Sequence, residues 1–185
     1  MHSKRYILTE EEIINGCVKQ DMKCQKMLFD RYSGKMFAVC LRYTSSVEDA
    51  EDVLQEGFVR VFRYLHSFKN QGSLEGWIRR VIVNVALRHF QKCKSRQEIV
   101  YQDYHTDLSV VPEILGQLSE QDLLQVINEL PEGYRIVFNL YAIEGYSHAE
   151  IGKLLEIQES TSRSQLTKAR KILYDKIRKI YKIAI

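Results

Sequence analysis

The sequence predicts an all-α protein in which two small helical domains are joined by an acidic linker. Apolar residues on both sides of the middle of the chain recur at three- and four-residue intervals, the spacing of helices that bury one face. Only 2 Pro and 9 Gly in 185 residues leave room for long helices. Charge is segregated although its net value is only +3: residues 97–134 hold eight acids and no Lys or Arg, while Gly76 to Gln97 hold six Lys or Arg and no acid.

Taken in order, Thr9-Glu10-Glu11-Glu12 is a capping-box start for a short helix carrying Ile13, Ile14, Cys17 and Val18. Asp21 opens a longer helix, with Cys24, Met27, Leu28, Tyr32, Met36, Val39, Cys40 and Tyr43 at helical spacing. A third helix follows Ser46 and buries Ala50, Val53, Leu54, Phe58, Val61, Phe62 and Leu65. Ser46 with Asp49 makes an aspartate version of the capping box, and acid suits a helix N-terminus. Asp52, Gln55 and Glu56 lie deeper than capping reaches, so this face is either simply solvated or used by a partner.

The polar loop of residues 66–73 leads into a fourth helix, from Leu74 to about Gln91, with Trp77, Ile78, Val81, Ile82 and Val85 sharing a buried face. Trp77 is expected in the core rather than on show as a stacking platform. The opposite face carries Arg80, Asn84 and Arg88 at four-residue spacing, with Arg79 beside them. A cationic stripe of this kind matches a phosphate backbone. Residues 10–92 form the first domain.

Residues 93–119 read as a linker: the stretch through Pro112 lacks periodicity and contains Tyr101, Asp103, Tyr104 and Asp107. Like charges extend such a segment, to roughly 90 Å at full stretch. It is either a tether or an acidic strand suited to a cationic channel.

Leading into and through the second domain, residues 120–182, Leu118, Leu123, Leu124, Ile127 and Leu130 make one amphipathic helix. Pro131 suits the first position of the next, whose core residues are Ile136, Val137, Leu140, Tyr141 and Ile143. Ser147-His148-Ala149-Glu150 is a capping box for a short helix burying Ile151, Leu154 and Leu155. The chain turns at Glu156-Ile157-Gln158 and a long helix starts near Glu159. A short helix, a tight turn and a longer helix make the helix-turn-helix pattern, whose second helix reads the major groove with its first turns. Ser160, Thr161, Ser162, Arg163, Gln165 and Lys168 stand there: small hydroxyls permit close approach, Arg suits guanine, Gln suits adenine and Lys suits phosphate.

Other chemistry is excluded by what the sequence does not group together. The four cysteines show neither metal spacing nor the density of a disulfide scaffold, and they read as buried thiols of a reducing cytoplasm. Five scattered His give no metal cluster. There is no Gly-rich phosphate loop and no nucleophile with its base, so neither a cofactor nor an enzymatic activity is expected. No apolar run approaches membrane-spanning length, and Met1 to Glu12 is too polar for a signal peptide. A cytoplasmic location follows.

Five segments in two groups resemble one family. Asp49-Ala50-Glu51-Asp52-Val53-Leu54-Gln55-Glu56-Gly57-Phe58 and Trp77-Ile78-Arg79-Arg80-Val81-Ile82-Val83-Asn84-Val85-Ala86-Leu87 are similar to conserved region 2 of the extracytoplasmic-function sigma factors of bacteria. Leu130-Pro131-Glu132-Gly133-Tyr134-Arg135-Ile136-Val137-Phe138, the segment Glu144 to Ile151, and Thr161 to Arg170 are similar to region 4 of the same group. Three positions depart: Gly152 replaces a usual Ala, Glu156 a common turn Gly, and Ser162 a usual Val.

The resemblance implies a promoter-specificity subunit that binds core RNA polymerase, recognises the −10 and −35 promoter elements and helps open the duplex. Asp49, Asp52, Gln55 and Glu56 would dock a basic surface of the polymerase. Arg79, Arg80, Asn84 and Arg88 would hold the downstream element. The loop with Phe68, Lys69 and Asn70 would cup an unstacked base of the melted non-template strand. Residues 160–168 would bind upstream duplex DNA, the linker would thread the polymerase, and an anti-sigma factor would hold the protein inactive. The rival readings are a helix-turn-helix regulator that binds only duplex DNA, and a helical nucleic-acid enzyme. The first has no need of an acidic docking face, and the second would need metal-binding acids beside the basic helix.

Overall fold

The computed structural model describes residues 8–94 and 120–181, and among these the regular elements are all helical. The chain divides into two compact units, one ending at His89 and the other beginning at Phe90. The expected linker of residues 93–119 falls almost wholly outside the described residues.

The first unit contains α1 (Glu10–Val18), α2 (Met22–Tyr43), α3 (Val47–Tyr64), a 3-10 turn (Leu65–Ser67) and most of α4 (Leu74–Lys94). Each start is set by a side chain that satisfies backbone N–H groups the helix itself leaves orphaned. Thr9 and Glu12 form the reciprocal capping box of α1, Asp21 accepts from the amides of Lys23 and Cys24, and Ser46 accepts from Asp49 N at 3.1 Å. Glu10 holds α1 to α2 by accepting from the Tyr32 hydroxyl at 2.8 Å. Lys35 reaches Glu75 at 2.6 Å, tying α2 to the first turn of α4.

The core of this unit is built from the expected stripes: Leu28, Met36, Val39, Cys40 and Tyr43 of α2 and Ala50, Val53, Phe58 and Val61 of α3 are buried. Ile78, Ile82 and Val85 complete it from α4. Burying a side chain of this size contributes about 1.5 to 3 kcal/mol. Trp77 and Val81 are only half-buried on the flank of α4, correcting their expected core placement. The indole instead lies against Phe68, ring centroids 5.8 Å apart and tilted by 53°.

The second unit contains α5 (Glu120–Asn128), α6 (Glu132–Phe138), a π-helical continuation (Asn139–Ile143), α7 (His148–Leu155) and α8 (Glu159–Tyr181). Pro131 stands at the N-cap of α6, one residue ahead of the first-turn position expected for it, and makes no side-chain capping bond. Val126, Ile127, Leu130, Tyr134, Ala169, Leu173 and Ile177 form one core cluster. Ile136, Val137 and Leu140 are buried as expected, but Tyr141 and Ile143 are exposed. The π-helical turn adds one residue per turn at Asn139–Ile143 and shifts those two off the core stripe.

Candidate nucleic-acid interface

In the first unit α3 and α4 present faces of opposite charge. On α3, Asp52, Gln55 and Glu56 are exposed, and Glu56 accepts from Arg60 Nη2 at 2.6 Å. Asp49 has internal work: one carboxylate oxygen accepts from the Ser46 hydroxyl at 2.7 Å and the other stands 3.6 Å from His89 Nε2. It is half-buried, so alongside its place on the outer face it braces the start of α3. Val59, 51% exposed, extends the outer face by one turn and escaped sequence reasoning. With Val47 and Tyr64 at the helix ends, it is one of the apolar residues of α3 that sit out of step with the buried stripe.

On α4, Arg80, Asn84 and Arg88 are exposed along one line about 12 Å long at 1.5 Å per residue. Arg79 is half-buried and engaged by a neighbour, so it flanks this line rather than joining it. Ahead of the helix, Lys69, Asn70 and Gln71 are exposed on a loop shaped by positive φ at Asn70 (54°) and Gly72 (104°). Ser73 closes the loop by accepting from Gly76 N at 3.1 Å. Phe68 is half-buried beneath it, on Trp77.

In the second unit the Ser147–Glu150 capping box starts α7, and Glu156 ends it in the left-handed conformation, φ 55° and ψ 42°. The chain then enters α8. Its buried stripe is Ser162, Gln165, Leu166, Ala169, Leu173 and Ile177. Ser162 and Gln165 thus face inward, correcting their expected role in base reading: Ser162 is 0% exposed with its hydroxyl 2.9 Å from His148 Nδ1, and Gln165 packs beside Gly133. Ser160 and Arg163 face out, Thr161 and Lys168 are half-buried, and Arg163 pairs with Glu159 one turn back. Ser164, Thr167 and Arg170 share the outer face and were missed. Counting three and four from Ser160 and Arg163 would have found them.

An aromatic and cationic group adjoins this face. The rings of Tyr141 and His148 stack at 4.5 Å and 19°, and the Arg170 guanidinium lies 5.7 Å from the Tyr141 centroid. Burial and then the charge of Arg163 hold the His148 imidazole below its ordinary pKa. Among the described residues no group of His, Cys, Asp and Glu is placed to hold a metal ion, and no helix is long and apolar enough to cross a membrane.

A short helix, a left-handed turn and a longer helix with a basic outer face define a helix-turn-helix DNA-binding protein. Family comparison divides the chain along the same lines: residues 28–96 match Sigma-70 region 2 and residues 120–173 match Sigma-70, region 4. The ECF RNA polymerase sigma-E factor of Haemophilus influenzae is 28% identical, over 92% of this chain and 96% of that protein. Its counterpart in Escherichia coli K12 is 26% identical, over 92% and 95%. Among solved structures, the sigma factor RpoE in complex with the anti-sigma factor NepR from Bartonella quintana shares the fold, with a TM-score of 0.50 at 19% identity over 86% of this chain and 98% of that one. The chain belongs to the sigma-70 family, within its extracytoplasmic-function group, and acts in transcription initiation. Sigma factors are initiation factors, not catalysts in themselves.

Proposed function

We propose that Asp52, Gln55, Glu56 and Val59 form the surface that docks a basic helical element of core RNA polymerase, with Asp49 holding the start of that surface in place. Charge complementarity supplies speed and orientation of encounter more than affinity. Arg80, Asn84 and Arg88 hold the downstream promoter element: the arginines take phosphates and Asn84 takes a base edge. The loop of Lys69, Asn70 and Gln71 over Phe68 receives a base of the melted non-template strand. On α8 the upstream duplex meets Ser160, Thr161, Arg163 and Lys168, joined by Ser164, Thr167 and Arg170. These assignments divide the chain into residues 10–92, an acidic connection of residues 93–119, and residues 120–182.

The observation that carries this reading is the pairing within one unit of an outward acidic face on α3 with an outward basic line on α4. A regulator that binds only duplex DNA has use for the second but not the first. The protein is accordingly a non-enzymatic, cytoplasmic subunit of a transcribing complex, and a regulatory anti-sigma partner fits a member of this group. The test is transcription in vitro with core polymerase lacking its own specificity factor, over fragmented genomic DNA with start sites mapped. Discrete start sites that need the added chain support the reading. Their absence, or failure of the chain to co-elute with core polymerase in a DNA-free column run, overturns it.

A further inference from the structure

Ser162 is wholly enclosed, and its hydroxyl meets the imidazole of His148 at Nδ1, 2.9 Å away. That contact and the stacking on Tyr141 fix the rotation of the ring. The second nitrogen, Nε2, lies across the five-membered ring from Nδ1 and so points away from Ser162. The ring as a whole is half-buried, and no hydrogen bond to Nε2 is formed within the described residues. Arg163 and Arg170 of α8 both act on this imidazole, and Arg170 also lies over the Tyr141 ring. Among the described residues Glu159 is the acid acting on it, and its carboxylate is engaged by Arg163. Glu150, on the same helix as His148, is turned back onto Ser147.

We propose that His148 contacts a DNA phosphate through Nε2 at the upstream element, in its protonated form, and that Ser162 is the positioning residue that holds it there. The proposal rests on the reading of α8 as the DNA-binding helix. Two guanidiniums act on this ring from α8, while among the described residues the nearby carboxylates of Glu159 and Glu150 are already engaged, and a polyanion satisfies all three cationic groups. The serine hydroxyl suits the task because it can donate to a neutral Nδ1 and accept from a protonated one. A hydroxyl enclosed at this point of α8 cannot read bases, but it can set the angle of a ring that reaches the backbone.

In the free chain burial, Arg163 and Arg170 favour the neutral ring, with Glu159 opposing them. A phosphate arriving between these cations screens the arginines and accepts the Nε2 proton, so binding takes up a proton. Affinity therefore increases as pH falls through the pKa of the complex, and levels off below the pKa of the free chain. A contact to one more phosphate also steepens the dependence of affinity on salt.

The experiment uses holoenzyme reconstituted from the full chain and core polymerase, with a fluorescein-labelled promoter duplex recovered by the start-site mapping above. Wild-type affinity is expected to tighten by about three- to sixfold from about pH 8 to about pH 6, approaching the full tenfold of a one-unit rise in the imidazole pKa only at lower pH. His148→Gln should lose that gain and lower the log–log salt slope by about 0.9. Ser162→Ala, which keeps the imidazole, should lose most of the pH response while retaining its melting temperature to within a few degrees. A His148→Gln chain with the wild-type pH response and salt slope overturns the phosphate contact. A Ser162→Ala chain with both intact overturns the positioning role. Arg163→Ala is the control: if it leaves binding unchanged, α8 is not the DNA-binding helix and the underlying reading falls.

Discussion

A Cβ on Gly152 would stand 2.9 Å from the carbonyl oxygen of Ile157. The turn of the helix-turn-helix unit closes directly onto α7 here, with Gly152 O accepting from Ile157 N at 3.0 Å and from the Glu156 amide. Gly152→Ala is therefore expected to destabilise the second unit by about 1 to 2 kcal/mol, overpacking outweighing the better helix propensity of Ala. Glu156→Gly, which relieves a left-handed residue, should stabilise it by about 0.5 to 1 kcal/mol after the entropy of the freer unfolded chain is counted. Urea denaturation followed by circular dichroism measures both.

Reversing the outer face of α3 with Asp52→Lys and Glu56→Lys should weaken association with core polymerase at least tenfold, mostly through the on-rate, because steering responds to the sign of the field. The fold should survive, since the exposed Glu56–Arg60 pair is worth about 0.3 to 0.5 kcal/mol. Stopped-flow association at several salt concentrations tests this, and unchanged binding at low salt would remove α3 from the interface.

Burial pushes the Cys17 thiol up to about 11 and the Cys40 thiol up to about 12. Alkylation needs the thiolate. At pH 8 both residues should remain unmodified by iodoacetamide in the folded chain and react fully in denaturant, as mass mapping of the labelled peptides would show.

The Glu150 carboxyl is held below its ordinary pKa by hydrogen bonds from the Ser147 hydroxyl and backbone amide. A carboxylate favoured in the folded state contributes stability that is present above its unfolded pKa and is lost as pH falls through the folded one. Ser147→Ala should raise the Glu150 pKa in a carbon-detected NMR titration, because the hydroxyl contribution goes while the amide bond remains.

The residues that turn chain into helix are short-range devices, and these were legible. Asp21, Ser46 and the pairs Thr9–Glu12 and Ser147–Glu150 act within three residues of themselves, and each caps the helix its spacing announces. The rotation of α8 about its axis was not read, because it depends on which stripe meets α5 and α6. Ala169, Leu173 and Ile177 set that stripe, and extended backward by helical spacing it carries Ser162 and Gln165 inside. Small and amide side chains look like base readers only when taken one by one. The same limit applies to Trp77: its spacing admits the core, but α4 meets its neighbours through Ile78 and Ile82, leaving the indole to the side where Phe68 lies. The π-helical turn at Asn139–Ile143 had no signal in the periodicity, and it moved Tyr141 from the core to a place beside His148.

Trp77 is the chain's single tryptophan, and its ring rests on the residue from which the loop ahead of α4 departs. Its emission is consequently a built-in optical gauge of that loop: an oligonucleotide that displaced Phe68 would change the brightness and colour of the fluorescence with no dye attached. Capture of single-stranded DNA by the isolated chain can in this way be timed by the protein's own light.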